Sequence, residues 1–360
     1  MKILYLVEDF SENGGVERIV SQKASILSTE YGHDITIMSV YRDARPILYP
    51  IDKSVRMVRL DVPFADKKHG SAVTLISRAK TLLLAARRMN RAVQEIRPDI
   101  IFFTTTLGAL LLPLCRTKAV RIYESHLARR FTPYRQLLRF MERRADLVVC
   151  LTEGDAGEYR HARNVIVIPN FIHKPAKTVV DYNRKRAVAV GRLERQKGFD
   201  ILISMWSSIA KEHPDWRLDI YGEGSEHEAL QRQIDSLRLG SHIRLMGRSN
   251  DMPGVYPEYS LHLMPSRYEG QPITLIEAQA TGLPSVVFNF KYGADDVIKD
   301  GANGIIVDEG DTDSFIQAMT DMMNSASMRR EYGESARIMA HAYFKENIIG
   351  EWAKIITPEP

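Results

Sequence analysis

Cysteine and long apolar runs are scarce in this 360-residue chain, and each absence excludes a class of protein. Its two cysteines, Cys115 and Cys150, stand in apolar surroundings and are too few for a disulfide framework, so we expect two small buried residues in a reducing cytoplasm. No apolar run approaches the roughly 18–20 residues of a membrane-spanning helix. The first strand also reaches Glu8 and Asp9 too early for a signal-peptide core. We therefore expect a cytoplasmic protein that at most lies on a membrane.

Charge is distributed unevenly between the two halves of the chain. Residues 1–172 hold 27 Lys and Arg against 18 Asp and Glu, a net of +9, whereas residues 173–360 hold 22 against 27, a net of −5. The basic first half indicates either a polyanionic or anionic-membrane partner, or a solvated surface that binds nothing.

Short β-branched runs alternate with helical patterns, which is typical of parallel sheets covered by helices. A polar passage from Lys174 to Lys185 indicates a linker, and the alternation restarts at Ala187. The sequence predicts two α/β domains, over residues 1–172 and 173–340, and a C-terminal helix over residues 341–360 that can return to the first domain. The predicted strands are Lys2–Val7, Ile35–Val40, Ile100–Thr104, Ala119–Glu124, Leu147–Leu151, Ala187–Val190, Arg217–Tyr221, Ile243–Met246, Leu261–Met264, Ser285–Phe288 and Gly304–Val307.

Ligands of open parallel sheets bind outside the carboxyl ends of the strands, beside helix N-termini, so we expect the functional residues at strand-to-helix junctions. After the first strand, Gly14 and Gly15 open a helix, where exposed N–H groups favour an anion. After Val190, the loop Gly191–Gly198 carries two cations, Arg192 and Lys197, beside another helix start. Charged donors and the helix dipole together favour a diphosphate at this second junction.

A third junction, Ser266–Ala278, contains two glutamates eight positions apart. Glu269 precedes a helix whose start is marked by Gly270 and Pro272, and Glu277 lies further along that helix. At a rise of about 1.5 Å per residue the two carboxylates can line one wall of a pocket some ten ångströms long. That separation is too long for an acid–base pair on one bond, but it suits two hydroxyl-bearing ends of one ligand.

These motifs, in this order, resemble glycosyltransferase family four of the GT-B fold. The resemblance rests on the Gly-Gly turn, the Gly-Arg-Leu…Gln-Lys-Gly loop, and Ser-x-x-Glu-Gly-x-Pro…Glu-Ala…Gly-x-Pro, and it spans nearly the whole chain. It implies two Rossmann-like, doubly wound domains that face a central cleft. It also implies a retaining transferase that needs neither a metal nor a cofactor besides its nucleotide-sugar substrate.

The resemblance also implies roles for individual residues. Glu269 would face the hydroxyls of the donor sugar, Glu277 would bind the ribose diol, and Arg192 and Lys197 would hold the diphosphate and neutralise the leaving group. The remaining expected donor contacts are Gly14, Gly15, Gly191, Gly270, Gln271, Pro272 and Ile273. His126, after the strand that ends near Tyr123, matches a histidine that many family members keep near the sugar. It could equally be a structural histidine.

Two other features point away from a metal and towards a membrane. Asp311-Thr312-Asp313 mimics a metal-binding triplet, but it directly precedes a predicted helix and is better explained as an N-cap. The predicted helix Ser71–Ile96 carries an apolar stripe and a separate basic stripe, and residues 116–144 hold nine Lys and Arg against two glutamates. Basic amphipathic helices can lie on anionic membranes. The apolar stripe is Val73, Ile76, Ala79, Leu83 and Ala86; the basic residues are Lys80, Arg87, Arg91, Arg129, Arg130, Arg135, Arg139, Arg143 and Arg144.

We therefore expect a hexosyltransferase that moves a hexose or hexosamine from a UDP-sugar to a saccharide acceptor in bacterial polysaccharide biosynthesis, of the capsule or O-antigen kind. The expected acceptor is polyprenyl-pyrophosphate-linked, and the enzyme would act at the inner face of the plasma membrane. Three rivals stay open: a GT-B epimerase or inverting transferase, a catalytically silent relative, and a protein that binds anionic membranes or nucleic acid. The last is disfavoured because aromatics that could stack on bases are sparse among the basic residues. The sequence does not identify the sugar, the acceptor or the linkage.

Overall fold

The computed structural model describes residues 1–12, 14–41, 46–63, 72–176 and 180–357, without the side chains of residues 72–76. The chain divides into two compact units, Met1–Pro169 together with Ile349–Pro360, and Asn170–Ile348. Each unit contains a parallel sheet, and helices lie between most of the successive strands. This architecture confirms the α/β fold class that the alternating pattern predicts.

The first unit begins with a buried strand and continues through alternating helices and strands. Its elements are β1 (Lys2–Val7), α1 (Gly15–Thr29), β2 (Asp34–Tyr41), β3 (Arg56–Val62), α2 (Ala72–Ile96), β4 (Ile100–Thr104), α3 (Thr105–Leu111), β5 (Val120–Glu124), α4 (Leu138–Glu142), β6 (Leu147–Cys150), α5 (Glu153–Ala156) and β7 (Val165–Val167).

The second unit repeats the pattern and ends in longer helices. Its elements are β8 (Arg186–Val190), α6 (Phe199–Glu212), β9 (Arg217–Tyr221), α7 (His227–Ser236), β10 (Ile243–Gly247), α8 (Met252–Val255), β11 (Leu261–Met264), α9 (Ile273–Ala280), β12 (Ser285–Asn289), α10 (Ala294–Val297), β13 (Gly304–Asp308), α11 (Thr312–Asn324) and α12 (Ala326–Met339). The helix α13 (Lys345–Ile356) follows.

Strand order places the functional junctions. Among the described residues, the first sheet runs β3-β2-β1-β4-β5-β6-β7 and the second runs β10-β9-β8-β11-β12-β13, with every pair parallel. The direction of winding reverses between β1 and β4 in the first sheet, and between β8 and β11 in the second. Open α/β sheets bind their ligands at such reversal points, outside the carboxyl ends of the strands.

Each sheet encloses its own apolar core. In the second unit Trp206 and Trp216 are buried, and the Phe288 and Phe315 rings pack with their centroids 4.6 Å apart. Cys115 and Cys150 are both free and buried, as the sequence predicts, and burial raises the pKa of the Cys115 thiol to about 11.

The predicted face of the long helix α2 is wrong in part. Ala79 and Leu83 of the predicted stripe are exposed, Leu83 by 59%, whereas Ala86 of that stripe lies on the buried face with Ala85, Met89 and Val93. The sequence contains three consecutive leucines at positions 82–84. On a helix of 3.6 residues per turn these three side chains cannot all face the core, so the sequence alone did not determine which of them is exposed. The side chains of Val73 and Ile76, also assigned to that stripe, lie outside the described residues.

Candidate functional site

Two loops leave neighbouring strands at the reversal point of the second sheet. The loop Gly191–Gly198 follows β8, and the segment from Pro265 to Pro272 follows β11. Gly198 is left-handed, with φ of +69°, and a Cβ at this position would lie 2.0 Å from the carbonyl oxygen of Pro265. Only glycine permits so close an approach, and the two loops therefore lie backbone against backbone.

The two loops bring together a cation and a carboxylate for which the family resemblance implies one shared ligand. Lys197 Nζ lies 2.6 Å from Glu269 Oε1, with 12% and 8% of the two side chains exposed. Gln196, which precedes Lys197, also donates from Nε2 to the carbonyl of Tyr268, which precedes Glu269, at 2.8 Å. This hydrogen bond is a second contact between the two loops. Such a nearly buried ion pair holds both groups in defined positions.

Arg192, the second predicted cation of the loop, is exposed. Its neighbour Glu194 accepts from the Ser225 N–H at 3.0 Å and from the Ser225 hydroxyl at 2.8 Å. These hydrogen bonds lower the pKa of Glu194, and the Arg192 charge adds to the effect. The loop is thus anchored through Glu194 while the Arg192 side chain extends into solvent.

Arg267 clamps the two loops, and sequence reasoning assigned it no role. Its guanidinium donates to both carboxylate oxygens of Asp200 on α6, at 2.9 and 2.7 Å, and its backbone N–H donates to the Gln196 carbonyl at 2.9 Å. These hydrogen bonds from Arg267 lower the pKa of Asp200. A bidentate arginine–carboxylate pair fixes orientation as well as distance, so Arg267 sets the register between the loops of Lys197 and Glu269.

Glu277 lies in the second turn of α9, which begins at Ile273 with Pro272 as its N-cap. The residue is buried, with only 3% of its surface exposed. Because Glu269 precedes the helix, the rise from Ile273 to Glu277 covers only four residues, about 6 Å. The expected placement of the two carboxylates along one wall of a pocket some ten ångströms long remains a prediction.

The segment between the glutamates is held by two neighbouring chain segments. Gln271 Oε1 accepts from the Asn170 N–H at 2.6 Å, and the Gln271 carbonyl accepts from Asn170 Nδ2 at 3.2 Å. Gly293, with φ of +98°, lies so near Gly270 that a Cβ would stand 2.5 Å from the Gly270 carbonyl oxygen. The Gln271 side chain is therefore engaged with Asn170, and the expected contact of Gln271 with a donor remains a prediction.

The glycines predicted in the first unit begin α1. Gly14 is the N-cap, in an extended conformation, and Gly15 is the first helical residue. The Glu17 carboxylate folds back over this helix start, because a Cβ at Gly14 would lie 2.3 Å from Glu17 Oε2. An acidic side chain three residues into a helix stabilises its N-terminal N–H groups. The expected contact of Gly14 and Gly15 with a donor remains a prediction.

His126 belongs to a buried charged cluster in the first unit. His126 Nε2 lies 3.3 Å from Glu124 Oε1, and the same oxygen accepts from Lys23 Nζ at 2.5 Å. Burial alone would raise the pKa of the Glu124 carboxyl, but Lys23 and His126 together lower it to about 2. Burial lowers the pKa of Lys23 to about 8, although Glu124 opposes that shift. At neutral pH the cluster therefore contains a charged lysine and a charged glutamate.

Asp311 is the N-cap of α11, as its position before the helix predicts. Asp311 Oδ1 accepts from the Ser314 N–H at 3.0 Å, and Oδ2 accepts from the Ser314 hydroxyl at 2.7 Å. Within the described ranges, no group of three or more His, Cys, Asp or Glu side chains could hold a metal ion.

The predicted basic surface is mostly exposed and carries apolar side chains as well. Tyr134, Leu137 and Phe140 are 51%, 46% and 47% exposed. The exposed basic residues are Lys80, Arg87, Arg91, Arg130, Arg135, Arg139, Arg143 and Arg144. Arg129 differs from them, because its guanidinium lies 2.6 Å from the buried Glu142 carboxylate inside the unit. In the part of the chain that the structure describes, no helix is long and apolar enough to cross a membrane.

Comparison with known proteins assigns both units to sugar transfer. Residues 13–174 match the model of Glycosyltransferase Family 4, and residues 171–339 match that of Glycosyl transferases group 1. An uncharacterized glycosyltransferase of Haemophilus influenzae is 26% identical, and the amylovoran biosynthesis glycosyltransferase AmsD of Erwinia amylovora is 29% identical; each match covers 99% of both chains. The structure is similar to that of a mutant of S. aureus TarM in complex with fondaparinux, alpha-GlcNAc-glycerol and UDP, with a TM-score of 0.82, 15% identity and 99% coverage of both chains.

Proposed function

This chain belongs to the family-four glycosyltransferases of the GT-B fold, and on that premise we propose that it transfers a hexose or hexosamine from a UDP-sugar to a saccharide acceptor with retention of anomeric configuration. The acceptor we propose is an intermediate of a bacterial surface polysaccharide, linked to a lipid diphosphate.

The observation that carries the proposal is the pairing of Lys197 with Glu269 at the reversal point of the second sheet. In a sugar diphosphate, the sugar offers hydroxyls to a carboxylate, and the diphosphate offers negative charge to a cation. One glycosidic bond joins the sugar to the diphosphate. An ammonium and a carboxylate 2.6 Å apart match that combination. The exposed Arg192 adds a second cation for the diphosphate, and the buried Glu277 suits the ribose diol.

In the proposed reaction, the bond between C1 of the sugar and the β-phosphate oxygen breaks, and the acceptor hydroxyl forms a new bond to C1 from the same face. The hydroxyl proton passes to the departing phosphate oxygen, and UDP leaves. Lys197 and Arg192 neutralise the negative charge that develops on the diphosphate. Preorganised cations lower the activation barrier most when they face the charge that develops in the transition state. Glu269 holds the sugar hydroxyls so that the reacting atoms stay aligned.

Two of the similar proteins support the choice of donor and pathway. The TarM structure contains UDP and alpha-GlcNAc-glycerol, which agrees with a UDP donor and with retention. The AmsD relative is named for amylovoran biosynthesis, which agrees with an acceptor that is a growing saccharide.

The exposed basic surface of the first unit supports a lipid-linked acceptor. Apolar side chains of Leu137 and Phe140 stand among arginines, which is the composition of a surface that lies in the headgroup region of an anionic bilayer. Such a surface would hold the enzyme where a lipid-linked acceptor is found.

Binding of UDP, GDP and ADP to the full chain, measured by isothermal titration calorimetry, tests the donor assignment. We expect UDP to bind and GDP to bind at least about tenfold more weakly. Clear binding of GDP without binding of UDP would contradict the proposed donor, and binding of neither would contradict the proposed site. The variant Asp215→Asn, which alters an exposed ion pair with Lys185 elsewhere in the second unit, serves as the control.

A further inference from the structure

A fully buried ion pair lies at the carboxyl edge of the first sheet. Lys23 on α1 and Glu124 at the end of β5 have 0% and 1% of their side chains exposed. Three aromatic rings surround the Lys23 ammonium, those of Tyr5, Phe102 and Trp352, and the last has its centroid 3.4 Å away. Because burying two charges costs as much as their attraction returns, stability alone does not account for such a pair.

A third side chain, that of His126, lies beside this ion pair and indicates a role for it. The Glu124 oxygen that accepts from Lys23 also lies 3.3 Å from His126 Nε2. Among the described residues, neither Glu124 Oε2 nor His126 Nε2 has a hydrogen-bond partner of ordinary geometry. The imidazole is therefore governed by the charge of Glu124 more than by any fixed hydrogen bond.

The loop that carries His126 is also tied down on its other side. Asp155 accepts from the Arg129 N–H at 2.7 Å and from the Ser125 hydroxyl at 3.3 Å, and the Tyr159 hydroxyl donates to Ser125 at 2.9 Å. The backbone on both sides of His126 is thus fixed, and the imidazole orientation is the remaining variable.

We propose that Glu124 is a positioning residue for His126, and that Lys23 keeps the Glu124 carboxylate charged for that purpose. A carboxylate beside Nε2 favours the tautomer with the proton on Nε2, which leaves Nδ1 as a hydrogen-bond acceptor for a sugar hydroxyl. The inference rests on the proposed function, together with the expectation from the family resemblance that His126 lies near the sugar.

The test replaces both charges together. Lys23→Met/Glu124→Gln leaves no unpaired charge in the interior, so this variant is expected to fold where a single substitution risks unfolding. We expect unchanged UDP affinity, donor KM within about threefold, and kcat lower by about tenfold or more, the scale of a misplaced active-site group. His126→Ala should cause a similar loss, and the triple variant should lose no more than either. Full kcat in the double variant, or losses that multiply in the triple, would overturn the proposal.

A matched control removes another buried carboxylate with its cation. Arg186 Nη2 and Asp219 Oδ2 pair at 2.5 Å in the second unit, and the Asp219 side chain is 5% exposed. The variant Arg186→Met/Asp219→Asn should keep kcat within about twofold and combine multiplicatively with His126→Ala, as independent sites do. If this control lost as much kcat as Lys23→Met/Glu124→Gln, then neutralising any buried ion pair would lower kcat, and the proposed role of Glu124 would be overturned.

A second measurement does not depend on turnover. Urea unfolding of wild type, Lys23→Met/Glu124→Gln, His126→Ala and the triple variant gives the coupling between the buried pair and position 126, and none of these four proteins leaves an unpaired charge in the interior. We expect a coupling of about threefold or more in the unfolding equilibrium constant, the scale for residues in contact. Additive effects would overturn the proposal even if the chain transfers sugar. Clear coupling in a chain that releases no UDP would instead contradict only the proposed function.

Discussion

Lys197 and Glu269 meet across two loops that leave neighbouring strands of the second sheet, with Nζ and Oε1 2.6 Å apart. The contact depends on Gly198, whose missing Cβ lets the loops touch, and on Arg267, which ties the loops together through Asp200 and Gln196. A cation and an anion held this way offer complementary contacts to a phosphate and to a sugar hydroxyl.

The two glutamates should respond differently to substitution. Glu269→Gln should lower turnover far more than it weakens UDP binding, because UDP lacks the sugar. Glu277→Ala should weaken UDP binding itself by about 1–3 kcal/mol, the scale of a lost hydrogen bond to a charged group. Calorimetry with UDP and a UDP-release assay measure both effects, and Glu212→Gln, exposed at the end of α6, is the control. Unchanged affinity and activity in both variants would show that the site is assigned wrongly.

Loosening the Arg267 clamp should reduce turnover without abolishing UDP binding. Arg267→Lys keeps the charge but loses the bidentate contact with Asp200, so the register of the two loops is no longer fixed. We expect kcat to fall about tenfold or more, since small misplacements are costly in an active site, with the melting temperature within a few degrees of wild type. A variant with full kcat would assign the clamp to stability alone.

Acid should destabilise the protein through His262. The side chain on β11 is fully buried, with Nδ1 3.1 Å from the Ser285 hydroxyl oxygen, and burial lowers its pKa to about 3. Between about pH 6.5 and 3 the unfolded chain takes up a proton on this histidine that the folded chain excludes. The free energy of unfolding therefore decreases as the pH is lowered, by up to about 1.4 kcal/mol per pH unit. Asp155 opposes this, because burial raises its pKa to about 6 and its protonation below that pH favours the fold.

The difference between wild type and His262→Phe isolates the histidine. Urea unfolding from about pH 7 to 5 avoids the range in which Glu124 takes up its proton, and Asp155 contributes equally to both proteins. The free energy of unfolding of wild type should fall relative to that of the variant as pH decreases. Parallel curves would mean that His262 is accessible to protons in the folded state.

The exposed basic surface should bind anionic vesicles in a salt-dependent way. Each basic residue near such a surface contributes up to about 1 kcal/mol, and the attraction weakens as the Debye length falls from about 10 Å at 0.1 M salt to about 3 Å at 1 M. Leu137→Ser/Phe140→Ser should weaken vesicle co-sedimentation, and so should Arg135→Ser/Arg139→Ser. Substitution of Arg163, an exposed arginine outside the predicted basic cluster, is the control. Equal binding to neutral and anionic vesicles, or none at low salt, would contradict this role.

Sequence patterns predicted most of the fold because its central strands are apolar runs bounded by glycine or charge. They missed β3, whose residues Arg56–Val62 mix charge with apolar side chains on an edge strand, and β7, which is only three residues long. Edge and short strands have little burial to shape their sequence. The loops of Lys197 and Glu269 could be identified as candidate binding loops because each follows a strand that the pattern identifies, whereas their assignment to one ligand came from the family resemblance.

The partners of these residues could not be predicted in the same way. Arg267 and Asp200 are 67 positions apart, and Lys23 and Glu124 are 101 apart, so nothing local relates them. One signal for Lys23 was present, because it occupies the apolar face of α1 between Ile19 and Leu27. A lysine at such a position has to be paired inside the protein, but only the fold identifies Glu124 as the partner.

The anomeric configuration of the product tests the central claim most directly. A panel of UDP-hexoses and UDP-hexosamines is supplied with a saccharide acceptor, and proton NMR follows the anomeric signal from donor to product, in the presence of a chelator. We predict that an α-configured donor gives an α-linked product with equimolar release of UDP, that Glu269→Gln loses this turnover, and that the chelator has no effect. A β-linked product would contradict retention, and activity that is abolished by the chelator and restored by magnesium or manganese would contradict the metal-independent chemistry.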